Sequence, residues 1–291
     1  MPEHVFRIQK ASAMGFCSGV RRAITILEKS SKVEGPLQTL GPVVHNRQVV
    51  DRLASEGISS AGGLNEITGG KIAIPSHGVS PTTAGELSRR GLHVIDATCP
   101  TVHRAQVAAK KLADGGFFVI IFGSPDHPEV KGLLGWAGDK SRAVTDTQTL
   151  SAESLPKKIG VISQTTQNKD KFLAFITELL ESVKDRFTEV RIVNTICPTT
   201  SRQQESAVRL SRKSDLVLVI GGKDSSNTRR LTEICAAQGV ETHQVETAKE
   251  IDPAWLAGKR RVGVTAGAST PDWSWEEVID KLKIFQGKLR T

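Results

Sequence analysis

Short apolar runs alternate along the chain with longer stretches whose apolar residues recur at helical spacing. The runs FFVIIF (117–122) and LVLVI (216–220) have the length of buried strands. Alternation of this kind is typical of βα units around parallel sheets, so we predict an α/β fold. The predicted strands are 5–11, 37–41, 71–76, 92–97, 117–123, 158–164, 190–195, 215–221, 242–246 and 261–267. The predicted helices are 19–30, 46–57, 81–90, 102–114, 128–136, 168–185, 200–213, 228–238 and 274–286.

One local arrangement occurs three times. Cys17, Cys99 and Cys197 each end a predicted strand or its loop and open a predicted helix, and they divide the chain into near thirds. Internal repetition indicates structural modules, so we predict three similar α/β modules with parallel-rich sheets. Their predicted boundaries are 14–97, 98–195 and 196–285, the last completed by residues 1–13.

Small polar loops follow two further strands in each predicted module. These loops contain His45 and His77 in the first module, His127 and Thr165 in the second, and Ser225 and Ser269 in the third. Ligands of parallel α/β sheets bind beyond the carboxyl ends of the strands. If the three modules turn those ends toward one centre, the loops converge on a single cavity.

The composition is that of a soluble globular protein. Apolar residues make up 38% and charged residues 24%, and no apolar run approaches the length of a membrane span. The first ten residues lack a secretory signal, so we expect a cytoplasmic protein. The net charge of +8 suggests an anionic partner. We expect no nucleic acid, because the basic residues are scattered and aromatic residues are few.

Cys17, Cys99 and Cys197 are candidate metal ligands. A thiolate at a helix N-terminus is stabilised by backbone N–H groups and by the helix dipole. Three such thiolates suit a [4Fe–4S] cluster with one iron left open to act as a Lewis acid. A zinc site of three cysteines and a histidine is the main inorganic alternative, and three unrelated buried thiols are the simplest one. Cys235 lies inside an amphipathic helix, so we expect it in the core.

The loops of the three modules also carry candidate anion contacts. His45, His77 and His127 occupy equivalent loops of a basic protein, which suggests anion contact or proton delivery. His4, His93, His103 and His243 are expected at the surface or behind the site.

The segment GGKDSSNT (221–228) lies between a buried strand and a helix, as a phosphate-binding nest would. Its contact candidates are Ser225, Ser226 and Asn227, and Ser269 has the same placement in TAGASTP (265–271). These residue types also serve as helix N-caps, which is the simpler explanation for any one of them.

Glu129 follows His127 and Pro128 at a predicted helix start. It is either an N-terminal helix acid favoured by the dipole or a proton donor with Thr165 as a hydroxyl relay. The residues themselves leave these two roles about equally supported.

A set of motifs occurs in the order found in one enzyme family. They are GFCSGVRRAI (15–24), VVHN (43–46), SHGVSP (76–81), DATCP (96–100), HPE (127–129), QTT (164–166), NTIC (194–197) followed by RQ (202–203), SSNT (225–228) and TAGASTP (265–271). The chain thereby resembles the 4-hydroxy-3-methylbut-2-enyl diphosphate reductases of the methylerythritol phosphate route to isoprenoids. The resemblance runs from about residue 7 to residue 285.

This resemblance implies a trefoil of three α/β modules around a [4Fe–4S] cluster, which oxidation would convert to a [3Fe–4S] cluster. It implies that Cys17, Cys99 and Cys197 ligate the iron. The diphosphate of the substrate would be held by His45, His77, Ser225, Ser226, Asn227 and Ser269, with His127 lining the pocket. Glu129 and Thr165 would serve protonation.

The implied reaction is a reductive dehydroxylation of the allylic diphosphate, with the substrate hydroxyl on the open iron. Two electrons and two protons give water and isopentenyl or dimethylallyl diphosphate. The electrons would come from an external one-electron donor such as a ferredoxin or a flavodoxin.

Three other protein classes compete with this interpretation. An iron–sulfur electron carrier or redox sensor shares the cysteines and the basic charge but needs neither phosphate nests nor a proton donor. Quinolinate synthase and the diphthamide-forming proteins also place one cysteine in each of three modules, but their motifs around the cysteines differ from DATCP and GFCSGV. A zinc hydrolase is the third alternative.

Overall fold

The computed structural model of the chain describes residues 6–150 and 155–288. Residues 1–5 of the third predicted module, which include His4 and the first residue of the predicted strand 5–11, lie outside this part. The described strands are β1 (Arg7–Lys10), β2 (Leu37–Leu40), β3 (Ile58–Ala61), β4 (Lys71–Ile74), β5 (His93–Asp96), β6 (Phe118–Phe122), β7 (Ser141–Val144), β8 (Lys158–Ser163), β9 (Glu189–Ile192), β10 (Leu216–Ile220), β11 (Glu241–Val245) and β12 (Arg261–Ala266). The described α-helices are α1 (Ser18–Glu34), α2 (Arg47–Ser55), α3 (Pro81–Arg89), α4 (Pro100–Asp114), α5 (Pro128–Ala137), α6 (Lys169–Val183), α7 (Pro198–Ser211), α8 (Ser226–Ala236) and α9 (Asp272–Lys288).

The strands form three four-stranded sheets. Their orders are β1-β12-β10-β11, β3-β2-β4-β5 and β7-β6-β8-β9. Every pairing of neighbouring strands is parallel. The predicted α/β class with three parallel-sheet modules is therefore confirmed, while the exact module boundaries stay a prediction.

Two strands, β3 and β7, are missing from the sequence-based prediction. Both lie at the edge of a sheet. In β3 only the two end residues are buried and both serines between them are exposed, so the strand shows no alternation of buried and exposed positions. Edge strands of this kind carry little hydrophobic signal because one neighbour and much of their burial are missing.

The described residues fall into two compact units. The first comprises the described parts of Met1–Val20, His45–Asp51 and Pro198–Thr291, and it contains the sheet of β1, β10, β11 and β12. The second comprises Arg21–Val44 and Arg52–Cys197, and it contains the other two sheets. Among the described helices, none has the length and apolar character needed to cross a membrane.

Helices cover both faces of the sheet in the first unit. One face packs Leu218 and Val264 against Val278 and Leu282 of α9. The other face packs Val217 and Val219 against α7 and α8. The sheet of β6 to β9 is likewise packed on one face against α6 and on the other against α4 and α5. Because both faces are covered, the inner strands β6 and β10 are continuous apolar runs, and the candidate polar side chains follow in the loops at the strand ends.

Candidate active site

Glu129 lies at the start of α5, directly after the loop that leaves β6. Pro128 occupies the first helical position, and His127 is the N-cap, whose Nδ1 accepts a hydrogen bond from the Glu129 N–H at 3.1 Å. The side chain of Glu129 is nevertheless turned inward, and the residue is only 4% exposed. Glu129 is therefore more than a solvated acid at a helix N-terminus.

Thr165 holds both carboxylate oxygens of Glu129. Its backbone N–H donates to Oε1 at 2.7 Å, and its hydroxyl donates to Oε2 at 2.8 Å. Thr165 follows β8, the strand next to β6, so the pair forms where two parallel strands end side by side. Gly123 permits this approach, because a Cβ there would lie 2.7 Å from Cβ of Gln164.

The environment of Glu129 makes its carboxyl a group that can exchange a proton at neutral pH. Burial raises the pKa of Glu129 to about 7, although the two hydrogen bonds from Thr165 lower it. A carboxyl with a pKa near the working pH populates both the proton-donating and the proton-accepting form. The bond to Thr165 Oγ1 gives that proton a hydroxyl path.

Two of the three candidate ligand cysteines belong to this second unit. The Cys197 N–H donates to the carbonyl of Thr165 at 2.9 Å, and the Cys197 thiol lies 3.9 Å from the hydroxyl of Thr101 in the first turn of α4. Cys99 is the N-cap of α4, yet its thiol makes no capping hydrogen bond. The second unit thus joins the Glu129–Thr165 pair to one cysteine and to the helix that the other cysteine opens.

Cys17 belongs to the first unit and opens α1. Its Sγ accepts a hydrogen bond from the N–H of Val20 at 3.3 Å, and its own N–H donates to the carbonyl of Ala268 at 3.1 Å. Two residues earlier, Gly15 has a φ of +74°, and a Cβ there would lie 3.0 Å from Nε1 of Trp275. The left-handed backbone and the close contact both favour glycine before this cysteine.

The predicted phosphate contacts of the first unit also lie close together. The Ser269 hydroxyl is 3.5 Å from that of Ser225 and 3.4 Å from the carbonyl of His45. Gly222 lets the loop after β10 approach His45, since a Cβ there would lie 2.5 Å from the His45 carbonyl oxygen. The Ser225 hydroxyl is the N-cap of α8 and accepts from the Thr228 N–H. Ser225 is therefore both a helix cap and a member of this group of polar residues, which also includes Ser269 and His45.

Asn227 adds a side-chain amide to this group of polar residues, and its neighbour Ser226 is half-buried. Asn227 is 4% exposed, and its Oδ1 has no hydrogen-bond partner among the described residues. A buried acceptor without a partner is costly in a native protein, so this oxygen needs a donor, which a water molecule or a protonated ligand oxygen would supply.

The two other histidines of the predicted site differ in their surroundings. Burial is the main cause that lowers the pKa of His45; Asp224 raises it and Arg229 lowers it. His77, in the second unit, lies beside the carbonyl of Gly78, which its Nδ1 approaches to 3.1 Å. Because a carbonyl only accepts, Nδ1 carries the proton. An imidazole with a lowered pKa contacts an anion as a neutral N–H donor unless that anion itself raises the pKa.

The three thiols fit an iron–sulfur cluster in chemistry. Each is half-buried and each stands at a helix start, whereas Cys235 is fully buried in the core and burial raises the pKa of its thiol. Neither unit brings three His, Cys, Asp or Glu side chains of its described residues together as a metal site. Along the chain, Cys17 belongs to one unit and the other two cysteines to the second.

One buried residue at the site has no role predicted from the sequence. Gln203 of the RQ motif is 3% exposed and bonds to both Gly15 and Asn227. Its presence in the motif was the only available signal, because a glutamine inside a polar helical stretch has no distinctive pattern.

Comparison with known proteins identifies similar chains. The sequence profile of the family described as LytB protein matches residues 8–283. The 4-hydroxy-3-methylbut-2-enyl diphosphate reductase of Dehalococcoides mccartyi strain CBDB1 is 44% identical over 277 residues, which cover 95% of this chain and 97% of that protein. The reductase of the same name from Geobacter metallireducens is 43% identical over 273 residues, 94% of this chain and 95% of that protein.

Two solved structures are similar over nearly the whole chain. A structure of (E)-4-hydroxy-3-methyl-but-2-enyl diphosphate reductase, the terminal enzyme of the non-mevalonate pathway, is 40% identical with a TM-score of 0.67, covering 95% of this chain and 99% of that one. The E-1-hydroxy-2-methyl-but-2-enyl-4-diphosphate reductase of Plasmodium falciparum is 26% identical with a TM-score of 0.86, covering 96% and 88%. This likeness and the three parallel sheets confirm the predicted fold class.

Proposed function

The chain belongs to the LytB protein family, and from this premise we propose that it is a 4-hydroxy-3-methylbut-2-enyl diphosphate reductase. The reaction breaks the allylic C–O bond of the substrate. It consumes two electrons and two protons, releases water, and yields isopentenyl or dimethylallyl diphosphate according to the carbon that is protonated. The observation that carries this proposal is the buried Glu129–Thr165 pair, with its pKa near 7, in a chain of this family.

Cys17, Cys99 and Cys197 would hold a [4Fe–4S] cluster. Bound there, the cluster supplies one-electron redox chemistry and an open Lewis-acidic iron for the substrate oxygen. A zinc ion could not supply the electrons that this reaction needs.

The substrate diphosphate would be bound by the hydroxyl groups of Ser225, Ser226 and Ser269, by Asn227 and by the histidines His45, His77 and His127. Ser225 lies at the N-terminus of α8, where backbone N–H groups and the helix dipole favour anionic oxygens. Preorganised donors of this kind position the substrate without reorganisation during the reaction.

Glu129 would donate the proton that lets the allylic oxygen leave as water. Its protonated Oε2 can donate to the Thr165 hydroxyl, which then donates its own proton onward to the substrate oxygen. After product release the carboxylate recovers a proton from solvent, as a pKa of about 7 allows. Thr165 keeps the carboxyl in place throughout through its backbone N–H.

The remaining partners follow from the reaction. We propose a cytoplasmic enzyme that takes electrons from an external one-electron donor, a ferredoxin or a flavodoxin.

The test is anaerobic turnover. Protein purified anaerobically, with its iron and sulfide measured, should oxidise a reduced viologen dye when the allylic diphosphate is added, and both five-carbon diphosphate products should be found. The matched control is the iron-loaded Glu129→Gln variant. Cluster absorption without substrate-dependent oxidation of the dye would favour the electron carrier, and bound zinc in place of iron would favour the hydrolase.

A further inference from the structure

Gln203 is a buried residue that the proposed reaction leaves without a task. It lies in α7 and is 3% exposed. Its Nε2 donates to the carbonyl of Gly15 at 2.8 Å, and its Oε1 accepts from Nδ2 of Asn227 at 3.4 Å. Both ends of this carboxamide are therefore hydrogen-bonded within the first unit.

These two bonds fix the orientation of the Gln203 side-chain amide first and, through it, that of the Asn227 side-chain amide. The Gly15 carbonyl can only accept, so the nitrogen of Gln203 must face Gly15 and its oxygen must face Asn227. That oxygen can only accept, so Asn227 must turn Nδ2 toward Gln203. Reversing Asn227 would place two acceptor oxygens against each other in a buried setting.

The fixed orientation determines what Asn227 offers to a ligand. One hydrogen of Nδ2 is directed at Gln203, and the second remains for a ligand oxygen. The Oδ1 is the buried atom that lacks a partner among the described residues. An Asn227 side chain released from Gln203 could rotate and present Oδ1 to an anion, which repels it.

We infer that Gln203 is a positioning residue that holds the Asn227 carboxamide with its N–H toward the substrate diphosphate. This inference rests on the proposed function, because it assumes that Asn227 binds the diphosphate. Gln203 acts through Asn227 and does not itself touch the substrate.

The same glutamine also anchors the loop before Cys17. Gly15 receives the bond from Gln203 on its carbonyl and donates its own N–H to the carbonyl of Ala266. Two residues later Cys17 donates to Ala268, the residue before Ser269. One buried amide therefore joins the loop of a cluster cysteine to the diphosphate contacts, with no charge placed between them.

A double-mutant cycle on pyrophosphate binding tests the inference. Isothermal titration of the anaerobic iron-loaded enzyme with inorganic pyrophosphate would compare the wild type, Gln203→Met, Asn227→Ala and the double variant. Methionine keeps the length of glutamine but has neither the donor nor the carboxamide oxygen. Loss of one buried hydrogen bond predicts roughly three- to tenfold weaker binding for Gln203→Met. Because Gln203 acts through Asn227, the double variant should bind no more weakly than Asn227→Ala alone.

Two results would overturn the inference. One is an unchanged affinity in Gln203→Met; the other is an equal loss when Gln203→Met is added to Asn227→Ala. If the wild type itself fails to bind pyrophosphate, the proposed diphosphate site is wrong and the inference fails with it. Should Gln203→Met not fold, Gln203→Leu serves instead, since leucine also lacks both the donor for Gly15 and the acceptor for Asn227, and the same loss is expected.

Ser211→Ala is the matched control. Ser211 is buried on the same helix and its hydroxyl donates to the carbonyl of Ala207, away from Asn227. This variant should bind pyrophosphate as the wild type does. A comparable loss in Ser211→Ala would mean that any buried polar change in α7 disturbs the site, which would also overturn a specific role for Gln203.

Discussion

Replacing Glu129 by glutamine should make the protein more stable at alkaline pH, and it should lower the turnover. Burial raises the pKa of this carboxyl from an ordinary 4.5 to about 7. Between these values the folded state binds more protons at Glu129 than the unfolded state does, so stability falls as pH rises. At 1.36 kcal/mol for each tenfold difference in proton affinity, ionising Glu129 costs about 3 kcal/mol of unfolding free energy above pH 7.

Glutamine avoids that cost while keeping the local hydrogen bonds. Its Oε1 can accept from the Thr165 N–H, and its Nε2 can donate to the Thr165 hydroxyl, the two contacts that the carboxylate makes now. The variant should therefore match the wild type at pH 4.5 and exceed it at pH 8 by up to about 3 kcal/mol. Turnover should fall by roughly 10²- to 10⁴-fold, because glutamine cannot supply the proton.

Urea denaturation of the iron-loaded proteins, followed by tryptophan fluorescence at both pH values, measures the difference. The control is Glu86→Gln on the surface of α3, where a hydrogen bond from Arg90 holds the pKa of the carboxyl below its usual range. Removing the charge of Glu86 should lower the unfolding free energy above pH 4.5, which is opposite in sign to the effect expected for Glu129→Gln. If Glu129→Gln and the wild type are equally stable at pH 8, the carboxyl is not desolvated as argued. If turnover is also unchanged at equal iron content, Glu129 is only a helix-terminal acid.

Three further predictions concern separate parts of the site. If the proposed cluster is correct, Cys99→Ser should lose its iron, as should the matching changes at Cys17 and Cys197, whereas Cys235→Ser should retain it; iron and sulfide analysis of each purified variant tests this. Thr165→Val removes both the proposed hydroxyl relay and the hydrogen bond that lowers the pKa of Glu129, so kcat should fall and the midpoint of its remaining pH profile should move upward from about 7, while Thr165→Ser should preserve both kcat and the midpoint. Gly123→Ala should lower the unfolding free energy by about 1–3 kcal/mol in thermal or urea denaturation, because its Cβ would overlap Gln164; wild-type stability would show that the loop relaxes freely.

The regular elements could be predicted from the sequence because their signals are local. Buried runs such as Leu216–Ile220 are apolar throughout, and the residues that begin helices, such as Pro81 after Ser80, carry the capping pattern on their own. The strands β3 and β7 escaped prediction because an edge strand is defined by its neighbour more than by its own residues.

The burial of the site residues could not be predicted, because it depends on how the helices and sheets pack around them. The sequence left two roles open for Glu129, and only its contact with Thr165, 36 residues further along the chain, distinguishes an inward carboxyl from a solvated one. The hydrogen bond between Gln203 and Gly15 joins residues that are 188 positions apart in the chain, so no local sequence pattern could predict it. The loops that carry the polar residues could be predicted from the sequence. The contacts between those residues could not, because they depend on how the sheets position the loops.

The helix starts show where capping and chemistry compete. A helix leaves its first backbone N–H groups without partners, and serine at the N-cap satisfies one of them at a gain of about 1 kcal/mol over a residue that does not cap. Ser225 follows this rule, whereas Cys99 occupies the same position in α4 and makes no capping bond. Serine at position 99 would therefore be the better cap, so a loss of iron in Cys99→Ser cannot be ascribed to a weakened helix. A thiol at a position where a hydroxyl would serve the fold better therefore supports the proposal that Cys99 is a cluster ligand.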